Sequence, residues 1–137
     1  MKIVIYTDGS CIGNPGPGGW AGLLFIGERE VVLKGGEADT TNNRMEMTAI
    51  LKALQYLRKN FKDEELQKMK ISVHSDSNLI IQTFKQNWKR KKNTDIWEKL
   101  DKARAWLDID WNWVKAHHTN EHNNRVDEIA QKEARKF

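Results

Sequence analysis

The length of 137 residues fits one compact domain, and a chain of this size buries enough surface to fold without disulfides. No apolar run approaches the roughly 18 residues of a membrane-spanning helix, and the run at residues 3–6 is too short for a signal peptide. The net charge of +4 permits a polyanionic partner without requiring one. The single cysteine, Cys11, cannot form an internal disulfide, which fits a reducing compartment, most simply the cytoplasm. Together with the length, this predicts one cytoplasmic domain over residues 1–137.

The first 34 residues predict an antiparallel meander of three strands. After Lys2, residues 2–7 are continuously apolar or β-branched, as expected of a strand covered on both faces. A turn follows at residues 8–19, where both prolines lie. Residues 20–26 and 30–34 form two further apolar runs, and the Gly-Glu-Arg sequence between them is a hairpin signal.

From Asn43 the apolar residues recur every three or four positions, which predicts a helix through about Lys59, followed by a polar link at residues 60–70. The rest of the chain predicts, in order, a strand at 71–75, a helix at 78–86, a basic stretch at 88–92, a helix capped by Asn93 or Thr94, a strand at 109–114 and a helix at about 123–137. The order βββαβααβα predicts an α/β fold, with a mixed five-stranded sheet of three meander strands and two parallel strands flanked by helices.

Four acidic residues occupy positions where chemistry is expected. Asp8 and Asp76 each follow a predicted strand, whereas Glu46 and Asp127 lie in first turns of helices, on the side that faces the sheet. Each has a structural alternative. Asp8 could form a local turn, Glu46 could complete a capping box with Asn43, Asp76 could cap a helix, and Asp127 could stabilise a helix N-terminus.

These four carboxylates can converge at one edge of the sheet. Like charges a few ångström apart repel one another, so such a cluster requires cations or protons. Hard oxygen ligands suit Mg²⁺, with Mn²⁺ as a plausible substitute, and carboxylates that hold two ions about 3.5–4 Å apart can cleave a phosphodiester. The cluster therefore predicts a metal-dependent hydrolase.

Three histidines lie in the polar loop before the last helix, at positions 117, 118 and 122. The loop joins the fifth strand to the helix that carries Asp127, so one of these histidines could move protons at the acidic cluster. The spacing does not choose among them. A zinc site is weakly supported, because Cys11 is distant in sequence and the chain has no CxxC or HExxH motif.

Four sequence blocks resemble ribonuclease H of type 1. They are TDGSCIGNPGPGGWA at residues 7–21, TTNNRMEM at 40–47, HSDSN at 74–78 and WVKAHHTNEHNNRVDE at 113–128. The blocks occur in order over essentially the whole chain, and their combination is highly specific. The resemblance implies the ribonuclease H-like fold, which is similar to the architecture that the hydrophobic periodicity predicts.

The resemblance also implies an activity: hydrolysis of the RNA strand of an RNA/DNA hybrid, with two Mg²⁺ ions, leaving a 5′-phosphate and a 3′-hydroxyl. It assigns the metal-binding and catalytic carboxylates to Asp8, Glu46, Asp76 and Asp127, with Asp8 bridging the ions. It also assigns the loop histidine, which moves protons or releases product, to His117.

Substrate contacts follow by position from the same resemblance. Three asparagines, Asn14, Asn42 and Asn43, are implied in the groove that presents the 2′-hydroxyls, with Cys11 close by and the carboxylate of Glu46 also reaching a 2′-hydroxyl. Thr41 and Asn93 are implied at a DNA-strand phosphate. Asn78 and Trp88 are further substrate contacts, and Trp88 or Phe84 could offer a ring face to a sugar or base. The chain has six tryptophans, several beside basic residues, which favours a nucleic-acid partner. We expect a monomer that needs no obligate protein partner.

Three departures from the family pattern stand out. Asp39 replaces a common arginine near Thr41, and the histidine loop has Ala116, Thr119 and Asn124 in place of two glycines and a glutamate. The family's basic protrusion is reduced to residues 88–92. These departures leave open a module that binds RNA/DNA hybrid or double-stranded RNA with impaired catalysis, and a third hypothesis is a domain of a reverse transcriptase.

Overall fold

The computed structural model describes residues 1–115 and 120–137. One sheet contains the described strands, which are β1 (Lys2–Cys11), β2 (Gly16–Ile26), β3 (Arg29–Thr40), β4 (Lys70–Ser75) and β5 (Ile109–Trp113). Their spatial order is β3-β2-β1-β4-β5. Strand β1 pairs antiparallel with β2 and parallel with β4, and β5 is parallel to β4. The predicted sheet of three meander strands and two parallel strands is confirmed.

The described helices are α1 (Asn42–Asn60), α2 (Asp63–Gln67), α3 (Asn78–Gln86), α4 (Thr94–Arg104) and α5 (Glu121–Ala134). Helix α2 was not predicted and lies inside the polar link at residues 60–70. It buries only Leu66, so it offers no repeating apolar pattern. Among the described residues, no helix is long and apolar enough to cross a bilayer.

The core lies on both faces of the sheet. On one face, apolar side chains of α1, α3 and α4 pack against the strands, with Ile5, Leu54 and Leu100 fully buried. On the other face, α5 places Val126 and Ala130 against β2. Helices on both faces fix the two helical acids, one from α1 and one from α5, relative to the central strand.

Strand β1 continues four residues beyond its predicted end, because Asp8 and the residues after it pair with β2 in an unbroken ladder that extends to Cys11 opposite Gly18. Asp8 therefore lies within a strand rather than in a turn after it. The parallel ladder between β1 and β4 ends at Thr7 opposite Ser75, so Asp8, still within β1, and Asp76, directly after β4, are the next residues of the two chain segments.

Candidate active site

Three of the predicted acidic residues meet at the carboxyl edge of the parallel strands. Asp8, Glu46 and Asp76 each offer a carboxylate oxygen, and these oxygens all lie within 4.8 Å of one another. Asp8 is only 2% exposed and Glu46 only 4%, whereas Asp76 is partly exposed. The cluster therefore has a buried side and a side open to a ligand.

Glu46 is held in place by the backbone of β1. The N–H of Gly9 donates a hydrogen bond to Oε1 of Glu46 at 2.6 Å, and the same N–H lies 2.8 Å from Oδ1 of Asp8. Thr41 is the N-cap of α1, and its hydroxyl accepts a hydrogen bond from the N–H of Arg44. The capping box between Asn43 and Glu46, left open by the sequence, is wrong because the helix begins earlier.

Asp76 does not cap α3, because Ser77 performs that task by accepting a hydrogen bond from the N–H of Ile80 at 3.4 Å. The indole N–H of Trp113 donates to the backbone carbonyl of Asp76 at 3.1 Å. This contact ties the segment after β4 to the end of β5. The side chain of Asp76 is left to face the cluster.

The fourth predicted acid, Asp127, also lies in the cleft. It lies on α5, where Gln131 donates to its Oδ2 at 3.0 Å, and it lines the same cleft as the other three acids. Its carboxylate also acts electrostatically on Asp8. The structure thus brings all four predicted carboxylates together in one cleft of about 430 Å³.

The cluster is strained electrostatically. Burial, with added repulsion from Asp76 and Asp127, raises the pKa of Asp8 to about 8, although a hydrogen bond with Glu46 opposes the shift. Burial and the neighbouring Asp8 likewise raise the pKa of Glu46 well above its ordinary value, against the opposing hydrogen bond from Gly9. At neutral pH Asp8 therefore retains its proton unless a cation compensates the charge.

The donor set fits a hard divalent cation. Within the described part of the chain, Oδ2 of Asp8 and Oε2 of Glu46 are buried and have no hydrogen-bond partner. Buried carboxylate oxygens without partners are costly in a folded protein, and a coordinated cation would satisfy both. Mg²⁺ and Mn²⁺ prefer such oxygen ligands.

The predicted 2′-hydroxyl contacts lie at the entrance to the cleft or close to it. Asn42, Asn43 and Asn78 line the cleft. The side-chain oxygen of Asn14 accepts a hydrogen bond from the backbone N–H of Asn42 at 2.9 Å, which joins the loop after β1 to α1. Cys11 lies at the end of β1, where its thiol donates to the carbonyls of Gly16 and Thr40.

The predicted phosphate contacts are linked by a residue that the sequence reasoning did not single out. The backbone N–H of Arg44 donates to Thr41, and its guanidinium donates to Oδ1 of Asn93 at 3.1 Å. The same guanidinium forms a two-pronged ion pair with Asp95, which lowers the pKa of that carboxyl to about 2. Asp39 is an exposed residue of β3.

Asn123 is a second residue that the sequence reasoning missed. It lines the cleft and is only 3% exposed, and its Oδ1 has no partner among the described residues. It precedes Asp127 by four positions on α5, so both side chains share one helix face. That spacing was the available signal. Asn124 also lines the cleft.

The predicted loop histidine, His117, lies outside the described residues, together with His118 and the substituted positions Ala116 and Thr119. His122 is described and packs in a ring cluster, with its centroid 5.0 Å from Tyr6 and 4.6 Å from Phe25. His122 therefore contributes to packing.

Of the two rings suggested for a sugar or base, Trp88 is exposed and Phe84 is not available. The ring of Phe84 stacks on Trp111 with centroids 4.0 Å apart, and Arg104 covers it at 5.0 Å. The suggestion for Phe84 is wrong because its faces are occupied within the protein. Trp88 remains a candidate, with its indole N–H donating to Gln86 at 3.2 Å.

A mixed sheet covered on both faces, with clustered carboxylates at the carboxyl edge of its parallel strands, defines a class of metal-dependent nucleases. The model of the family described as RNase H matches residues 1–135, and the chain belongs to this family. It is therefore an enzyme of the nuclease class, as the resemblance implied.

Similar proteins of known sequence and a similar solved structure support the same family assignment. The chain is 44% identical to the ribonuclease H of Caulobacter sp. (strain K31), covering 95% of this chain and 88% of the relative. It is 42% identical to the ribonuclease HI of Caulobacter vibrioides, covering 94% and 90%. The structure is similar to LC11-RNase H1 in complex with RNA/DNA hybrid, with a TM-score of 0.82, 26% identity and coverage of 98% and 97%. The predicted ribonuclease H-like fold is confirmed.

Proposed function

We propose that this chain hydrolyses the RNA strand of RNA/DNA hybrids, leaving a 5′-phosphate and a 3′-hydroxyl. The observation that carries the proposal is the cluster of Asp8, Glu46 and Asp76, whose carboxylate oxygens lie within 4.8 Å in an open cleft. The similar LC11-RNase H1, whose structure contains an RNA/DNA hybrid, supports the substrate class.

Asp8, Glu46, Asp76 and Asp127 would hold two divalent ions, with Mg²⁺ as the preferred metal and Mn²⁺ as a substitute. When bound, such a pair of ions activates a water molecule and stabilises the departing oxygen of the phosphodiester. Asp8 interacts with Glu46, Asp76 and Asp127 and would therefore help to hold both ions.

The protein's own contribution is a fixed set of donors. The N–H of Gly9 holds Glu46 beside Asp8, and the indole of Trp113 holds the backbone of Asp76. Such preorganised ligands need no rearrangement when charge develops at the reacting phosphate. His117 completes the proposal as the group that moves protons or assists product release.

Selection of RNA over DNA rests on the asparagines at the cleft. An RNA strand differs from DNA in its 2′-hydroxyls, which can both donate and accept hydrogen bonds. The carboxamides of Asn42 and Asn43 have the same dual capacity, and both residues line the cleft. Cys11 and Asn14 lie on the adjoining strand end and loop, and Asn78 of α3 also lines the cleft.

The proposal is tested with an end-labelled RNA/DNA hybrid beside RNA/RNA and DNA/DNA duplexes, in Mg²⁺, Mn²⁺ or EDTA. We expect cutting of the hybrid's RNA strand alone, metal dependence, and RNA products that a polymerase can extend from their 3′ ends. Asp8→Asn should abolish cutting, whereas Asp108→Asn, which alters an exposed carboxylate outside the cleft, should not. Tight hybrid binding by the unaltered chain without cutting in either metal would instead support the binding module.

A further inference from the structure

The basic segment between α3 and α4, residues 88–92, contains four cationic residues that the structure treats differently. Lys89, Lys91 and Lys92 are exposed to solvent. Arg90 points inward, and only 20% of its side chain is exposed. The segment is bracketed by Asn87 and Asn93, which both have left-handed backbone conformations, with φ of 53° and 57°.

Arg90 is enclosed by an acid and two aromatic rings. Its guanidinium forms an ion pair with Asp101 of α4. It also lies 4.7 Å from the ring centroid of Trp97 and 5.8 Å from that of Phe84. A planar guanidinium suits both contacts at once, because it pairs with carboxylates and stacks on ring faces.

The site that receives Arg90 is itself rigidly built. Phe84 of α3 stacks on Trp111 of β5 at 4.0 Å and meets the edge of Trp97 at 5.2 Å. Asp101 is also bound by Arg104, at 3.2 Å. Three elements of the fold therefore define where Arg90 sits, and with it the middle of the basic segment.

The fixed segment lies at the edge of the active-site cleft. Residues 89–93 line a second cavity of about 280 Å³, which shares Asn43 and Leu79 with the cleft. A polyanion in the cleft would thus pass close to the exposed lysines. Arg90 itself is neutralised by Asp101 and covered by the rings.

We propose that Arg90 is a positioning residue, which holds the shortened basic segment so that Lys89, Lys91 and Lys92 meet phosphates of the bound hybrid. This inference rests on the proposed function, because it names how the same enzyme retains its substrate. A segment of this length would otherwise have to be ordered at each binding event, which weakens binding.

The first test measures hybrid affinity against salt in the Asp8→Asn background with Mg²⁺, so that no cleavage intervenes. Raising salt from 50 to 200 mM weakens binding by about threefold for each phosphate contact. Lys91→Gln should make the loss of affinity between 50 and 200 mM salt about threefold smaller. Arg90→Gln should reduce this loss by clearly more, because several lysines would no longer be held near the phosphates. Arg104→Gln is the matched control, because it also contacts Asp101 and Phe84 but lies outside the segment, and it should change the effect by less than twofold.

In the otherwise unaltered enzyme, Arg90→Gln should raise KM by about tenfold or more, with kcat within twofold, and Arg90→Lys should recover part of the loss. If Arg90→Gln changed KM and the salt dependence of binding no more than Lys91→Gln does, the proposal would be overturned, because Arg90 would then act as a single phosphate contact like Lys91. Equal effects of Arg90→Gln and Arg104→Gln would do the same.

A second measurement needs no substrate. Backbone ¹⁵N order parameters of residues 89–92 in the free protein should be about 0.8, and should fall below about 0.6 in Arg90→Gln but not in Arg104→Gln. Unchanged order parameters in Arg90→Gln would refute the positioning role even if the enzyme cleaves hybrids. A chain that fails to cleave hybrids but shows the loss of order would refute the proposed function alone.

Discussion

The N–H of Gly9 donates to Oε1 of Glu46 at 2.6 Å, and this bond joins the central strand directly to α1. The two backbones touch at this point. A Cβ atom added to Gly9 would lie 2.3 Å from the backbone nitrogen of Glu46 and 2.4 Å from the carbonyl carbon of Met45. Glycine is thus required here because any side chain would separate two of the carboxylates that form the site.

Gly9→Ala should therefore lower both stability and activity. Backbone atoms cannot move aside like a flexible side chain, so we expect a loss of at least about 1–3 kcal/mol in the free energy of unfolding and a large fall in kcat. Gly22→Ala is the matched control in the neighbouring strand, because its added Cβ meets only ordinary contacts at 3.8 Å or more. Denaturant unfolding and cleavage assays on both variants test this, and normal turnover by Gly9→Ala would contradict it.

The raised pKa of Asp8 makes the metal-free protein less stable as pH rises. Between pH 4 and about 8, the unfolded chain has an ionised Asp8, whereas the folded chain keeps the proton. The unfolded state then binds fewer protons, so stability declines by up to about 1.4 kcal/mol per pH unit. Melting curves in EDTA should show Asp8→Asn gaining on the unaltered protein with rising pH; a constant difference would argue against the shift.

Metal binding should displace a proton from the site and so oppose the loss of stability at higher pH. Because the pKa of Asp8 is raised to about 8, Mg²⁺ must displace the proton of Asp8 to bind, and its affinity should rise by up to about tenfold per pH unit between pH 6 and 8. Calorimetry in two buffers of different ionisation enthalpy measures the release directly. Identical heats in both buffers would show that the carboxylates are already ionised.

Arg44 should position the phosphate contacts rather than bind phosphate itself. Arg44→Met removes the bond to Asn93 and should raise KM by about tenfold, the equivalent of about 1.4 kcal/mol, with kcat little changed. The deciding control is Asp95→Asn, which frees the guanidinium but keeps its charge. A positioning role predicts a raised KM in both variants, whereas direct phosphate binding by Arg44 predicts a lowered KM in Asp95→Asn.

We expect His117 to act in the reaction and His122 to act in packing. His117→Ala should slow turnover about tenfold to a hundredfold without abolishing it, as expected of a proton carrier that solvent can partly replace. His122→Ala should leave kcat nearly unchanged but lower the melting temperature, because its ring packs on Tyr6 and Phe25. The reverse pattern would show that the assignment of the loop is mistaken.

Periodicity predicted the elements that bury a continuous apolar face. Residues 2–7 were identifiable as a strand because every side chain after Lys2 is apolar or β-branched, and α1 because its core positions recur in helical spacing. The hairpin after Ile26 was also predicted, but its connection is one residue shorter than the Gly-Glu-Arg sequence indicated, because β3 already begins at Arg29. Gly27 in this connection has a positive φ. The four carboxylates could be singled out because acids rarely occupy such positions.

Tertiary contacts set the features that local patterns did not predict. Gly9, Ser10 and Cys11 have no strand signature and extend β1 only because β2 lies beside them. Arg44 gained a role from Asn93 and Asp95, which are about 50 positions away in sequence. Asn123 could be recognised as a site residue only from the structure, because its place in the cleft depends on how α5 packs on the sheet.

The register of the parallel pair β1 and β4 has a consequence for folding. Thr7 lies opposite Ser75, so the two acids that follow are brought abreast by the ladder itself. Successive strand residues point to opposite faces, and a slip of one position would turn one of these acids away from the other. A chain with the wrong register would therefore have no partial activity. The cleavage activity recovered during refolding would measure only those molecules in which β1 and β4 have paired in the correct register.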